Sequence, residues 1–74
     1  MTDKQDVAKD IQTVMLFSGV KAKMASRTMC SRVAGGGLLV EVFSPTRILI
    51  TKNKITQQFN SEYSARQFVI GEFV

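Results

Sequence analysis

Between residues 38 and 59 the chain reads LLVEVFSPTRILITKNKITQQF: three short runs of largely alternating apolar and polar positions, interrupted twice by turn chemistry. The runs 38–43, 47–52 and 55–59 are rich in Val, Ile, Leu, Phe and Thr, which fit a pleated surface, so an antiparallel meander is expected here. Ser44-Pro45-Thr46 makes the first turn, because Pro45 fixes its own φ and offers no N–H to a ladder. Asn53-Lys54 makes the second, Asn tolerating the left-handed conformation of a two-residue hairpin. Loops of three and two residues set Val42 opposite Ile48, Val40 opposite Ile50, Ile48 opposite Phe59 and Lys52 opposite Ile55. A period of two then gathers Leu38, Val40, Val42, Ile48, Ile50, Ile55 and Phe59 on one face, with Gln57 among them. The reverse face is mixed, carrying Glu41, Arg47, Thr51, Thr56 and Gln58 together with Leu39, Phe43 and Leu49. A slip of one residue would turn the first set into water, and that penalty selects the register.

The flanks supply cover for the apolar face. Residues 2–17 place Val7, Ile11, Val14 and Met15 at steps of three and four with Ala8 beside them, an amphipathic helix started by Thr2 with Gln5, or by Asp3, and stopped at Gly19. After Phe59, Asn60 or Ser61 caps a second helix with Glu62 in its first turn. Ala65, Phe68, Val69 and Phe73 share one side of it, Tyr63 and Ile70 flank them, and Gly71 frays the end. Residues 20–33 are ambiguous. Their Ala, Lys, Met and Arg content favours a helix aligning Ala22, Ala25, Met29 and Val33, while a strand over 27–33 would turn through Gly35 to Gly37 into Leu38 as a fourth strand. The glycine triplet is read as a joint outside either element. The expected class is α+β, one domain over residues 1–74: an N-terminal helix, a three-stranded antiparallel meander (four-stranded on the second reading) and a C-terminal helix, in two layers.

Length narrows the picture further. A chain of 74 residues buries only roughly 60% of its unfolded surface, so association with another chain is a natural aid to stability. Cys30 has no partner within the chain and histidine is absent, which removes disulfide and zinc frameworks and points to a reducing, cytoplasmic setting. No run has the length of a membrane span, and the N-terminus lacks the cationic and apolar regions of a secretory signal. Ten Lys and Arg against six Asp and Glu give a net charge of +4, which favours an anionic partner.

Catalytic chemistry is not expected. Asp3, Asp6 and Asp10 lie along one exposed helix end and Glu41, Glu62 and Glu72 on three different elements, so no carboxylate pair flanks a substrate, and no cofactor motif or small-molecule site is foreseen. Cys30, despite Arg27 and Arg32 nearby, is read as a small buried hydrophobe. Gly35 to Gly37 lack the Lys-Ser/Thr pair and following helix of a phosphate loop, and Ser44 is read as a turn serine.

Two binding surfaces remain. No acidic residue lies between Asp10 and Glu41, whereas Lys21, Lys23, Arg27 and Arg32 do; with Arg47 and Lys54 they make a candidate surface for nucleic acid or another anionic partner. On one helix, however, Lys21 and Arg32 face away from Lys23 and Arg27. Leu39, Phe43 and Leu49 on the reverse sheet face, with Phe73 in the apolar end Phe73-Val74, make a candidate protein interface; one aromatic falls short of the stacking rings of an RNA-reading sheet. The preferred expectation is a small non-catalytic module of regulator, inhibitor or adaptor type, acting on a protein partner or by self-association as a homodimer. The second is nucleic-acid binding through residues 21–32. This basic, cofactor-free profile is one that phage and mobile-element accessory proteins share.

Overall fold

The computed structural model describes residues 3–73; Thr2 and Val74, named above as a cap and as part of an apolar end, lie outside them. Helix α1 (Lys4–Phe17) begins at Asp3, whose carboxylate accepts hydrogen bonds from the amides of Gln5 (2.9 Å) and Asp6 (3.1 Å). It ends in a Schellman motif. Gly19, at φ 84°, donates to the Leu16 carbonyl and Val20 to that of Met15, which satisfies the last carbonyls and turns Val20 back onto the core. Of the stripe read from the sequence, Val7, Ala8, Ile11 and Met15 are fully buried and Val14 is partly buried at its margin.

Five strands follow as a meander: β1 (Lys23–Ser26), β2 (Ser31–Gly35), β3 (Leu38–Ser44), β4 (Arg47–Lys52) and β5 (Ile55–Phe59), each antiparallel to the next in the order of the chain. The register over 38–59 matches the expected one, with Val40 opposite Ile50, Val42 opposite Ile48, Ile48 opposite Phe59 and Lys52 opposite Ile55. The Pro45 turn introduces an irregularity at Phe43, so that Ser44 pairs with Arg47.

Residues 20–33 are not a helix. They form β1 and most of β2, and the sheet has five strands rather than three or four. Burial gives the physical reason. A helix would have hidden Ala25 and Met29 beside Ala22 and Val33, yet Ala25 is exposed and Met29 is 77% exposed, while Ser31 and Val33 point inward and Arg32 and Ala34 outward at a period of two. Helix propensity, worth under about 0.7 kcal/mol per residue, loses to pairing the whole inner edge of β3 and burying Val33 against it. The turn between β1 and β2 closes on a hydrogen bond from the Arg27 amide to the Cys30 carbonyl, 2.8 Å, which leaves Cys30 buried.

The glycine triplet is not a joint throughout. Gly35 is the last residue of β2, where a Cβ would overlap the carbonyl oxygen of Lys21 as the chain enters β1. Gly36, at φ 57°, and Gly37, at φ 82°, make a two-residue turn, and a Cβ on Gly36 would stand 2.6 Å from the Phe73 ring.

Helix α2 (Glu62–Phe73) is capped by Ser61, whose hydroxyl oxygen accepts from the Ser64 amide at 3.1 Å. It does not fray at Gly71. The helix continues to Phe73, which packs at the edge of the core, and Gly71 stays exposed. Both helices lie on one side of the sheet and against each other, α1 over β1, β2 and β3, α2 over β4 and β5. Their buried residues join Val33, Leu38, Val40, Val42, Ile48 and Ile50 in one cluster, completed by Phe59 against Phe68, ring centroids 5.3 Å apart and planes tilted by 50°. The result is α+β in two layers, with one face of the sheet covered and the other open. Among the described residues no helix is long and apolar enough to cross a membrane.

Candidate binding surface

The alternation that buries one side of each strand presents the other side to solvent, and the pairings decide which of those side chains meet. Lys23, Ala34, Leu39, Thr51 and Thr56 form one row across the open face, and Ala25, Arg32, Glu41, Leu49 and Gln58 the next. Phe43 and Arg47 continue the β3 and β4 columns toward the Pro45 turn. Leu39, Phe43 and Leu49, named from the sequence as interface candidates, are half-buried on adjacent strands of this face; Glu41 stands between Leu39 and Phe43 on β3 and opposite Leu49, and Phe43, at the Pro45 end, also borders a hollow lined by Asp3, Lys4 and Gln5. Phe73 does not join them. It is partly buried on the opposite side of the sheet, against Gly36 and the core.

Polar groups among these apolar side chains are held in place. The Arg47 guanidinium stands 5.1 Å from the centre of the Phe43 ring. Arg32 Nε lies 3.2 Å from Glu41 Oε2, an ion pair without an aligned hydrogen bond, and this Nε is out of reach of solvent. The Thr51 and Thr56 hydroxyls are 2.8 Å apart. Half-exposed pairs of this kind add little stability, but they restrict the side chains a partner would meet.

The six basic candidates are not brought together. Lys23, Arg32 and Arg47 are on the open face, Arg32 already facing Glu41; Lys21 precedes β1, Arg27 is in the β1–β2 turn and Lys54 in the β4–β5 turn. At about 4.8 Å between strands, Lys23 on β1 and Lys54 beyond β4 are separated by roughly 15 Å. Lys52, the other basic residue of β4, is on the covered side and pairs with Glu72.

Sequence reasoning missed the exposure of Ile55. Its side chain points to the helix side as expected, but α2 leaves that corner open and Ile55 is 66% exposed, beside a groove of about 260 Å³ lined by Ile50, Gln57, Phe68 and Glu72 among others. Periodicity reports which way a side chain points, not how far the neighbouring helix reaches. Among the described residues no three His, Cys, Asp or Glu side chains are close enough to hold a metal ion. Compared with known proteins, the chain matches no family model, no curated protein and no solved structure.

Proposed function

We propose that this protein is a non-catalytic binding module whose working surface is the open sheet face, and that its partner is another protein. The observation that carries the reading is that Leu39, Phe43 and Leu49 stand half-buried on β3 and β4 on a face over which, among the described residues, no helix lies. Apolar side chains set around a fixed Arg32–Glu41 pair give the mixture of apolar and oriented polar groups that protein-recognition surfaces use. The uncompensated cations of the face, Lys23 and Arg47, favour a partner presenting carboxylates around an apolar centre. Nucleic acid is the weaker fit, since among the described residues the face carries one aromatic ring and its cations form no continuous track.

The test compares capture of a partner by the natural chain and by surface variants. Leu49→Asp and Arg47→Glu each lower affinity about tenfold or more, whereas Lys9→Asp on the exposed side of α1 leaves it unchanged. Binding untouched by Leu49→Asp contradicts the assignment. Salt-sensitive affinity for a labelled oligonucleotide that is lost with Lys23→Glu would replace the protein partner with nucleic acid.

A further inference from the structure

We propose that two copies of this chain associate edge to edge through β5, antiparallel about a two-fold axis at Gln57, joining two five-stranded sheets into one of ten strands. The inference is independent of what occupies the open face.

The two edges of the sheet differ. β1 is four residues long and carries Lys23, a common protection against unwanted pairing. β5, reading ITQQF, has no charge, no proline and no bulge, and most of it is exposed. Its outward backbone groups follow from the hairpin. Asn53 and Lys54, at φ 52° and 67°, make a two-residue turn of the I′ kind, so Lys52 and Ile55 form a hydrogen-bonded pair, as do Ile50 with Gln57 and Ile48 with Phe59. The amides and carbonyls of Thr56 and Gln58 are thereby directed away from β4.

A second copy placed antiparallel with Gln57 on the axis puts Thr56 opposite Gln58 in both directions. All four outward amides and carbonyls of each pair of residues then find partners, forming four hydrogen bonds at about 2.9 Å. The same register sets Ile55 against Phe59 of the second copy on the helix side of the sheet, so the apolar side chain left uncovered by α2 closes over an aromatic that is itself only half-buried. Lys54 comes alongside residues 60–62 of the second copy, where the Glu62 carboxylate, already paired with Arg66 of its own chain at 3.2 Å, leaves little added attraction, so the backbone bonds and the Ile55–Phe59 contact carry the pairing. A neutral strand meets no like-charge penalty against itself, which the lysine-bearing β1 would.

Sedimentation velocity over a concentration series into the high micromolar range tests this. The expected result is a shift to twice the chain mass, with the Thr56 and Gln58 amides gaining protection from hydrogen exchange as the dimer forms. Gln57→Lys and Gln57→Glu each place like charges face to face at the axis and weaken association on the order of tenfold, while mixing the two variants restores it. Gln57 is exposed, so neither change disturbs the chain's own core. A constant monomer mass across the series, a dimer that Gln57→Lys leaves intact, or a dimer in which the Thr56 and Gln58 amides remain unprotected overturns the proposal.

Discussion

Val40→Asp leaves the chain unfolded at 25 °C by circular dichroism, whereas Leu39→Asp, one residue earlier on the same strand, keeps the native spectrum. Val40 has no solvent exposure and sits between Val33 and Ile50 on the neighbouring strands, beneath the helices. Aspartate there forfeits about 1.5–3 kcal/mol of burial and adds the cost of an unpaired buried carboxylate, several kcal/mol more. A chain this size has only about 4–11 kcal/mol of net stability at the usual 0.05–0.15 per residue, so the loss is decisive. Leu39 lies on the open face between Ala34 and Thr51, where an aspartate keeps its water and costs about 1 kcal/mol in strand preference. Urea denaturation of the two variants measures the difference.

Ile11→Ala lowers the thermal midpoint by about 10 °C or more. Ile11 is fully buried at the centre of the α1 stripe, with Val7 and Ala8 one turn before it and Met15 one turn after. Truncating a buried isoleucine costs about 2–5 kcal/mol, part of it the cavity left when a helix pinned by caps at both ends cannot settle closer to the sheet. Each kcal/mol moves the midpoint by about 4–8 °C in a domain of this length. Thr13→Ala on the exposed side of α1, where the hydroxyl only returns a hydrogen bond to the Lys9 carbonyl, changes stability by less than about 0.5 kcal/mol.

Residues 38–59 were readable because each strand there is bounded by an explicit turn signal, Pro45 and then Asn53, and loop length converts directly into register. The helix starts at Asp3 and Ser61 and the stop at Gly19 were readable for a similar reason: each is a local event, settled by one side chain or one backbone angle. The β1–β2 hairpin was not, because its strands are short, its turn at residues 27–30 has neither Gly nor Pro, and what decides it is the unpaired edge of β3, which is remote in sequence. Phe73 sits on the same side of α2 as Ala65, Phe68 and Val69, as its spacing implies, and not at an exposed end; packing of the ring on the core edge outweighs the roughly 1 kcal/mol that Gly71 costs within the helix. The basic residues were read as a segment. Folding them into a hairpin, a linker and turns spreads them across the sheet, while Leu39 and Leu49 keep the expected register and share a face with Phe43, which the irregularity before Ser44 leaves unpaired beside Arg47.

The claim on which the functional reading depends is that one side of the sheet is bare. Methyl NMR with a soluble paramagnetic agent tests it most directly. Strong broadening is expected of the Leu39 and Leu49 methyl signals and little at Val40, Ile48 and Ile50; equal protection of both sets would mean that the open face is covered, and the functional reading would fall with it.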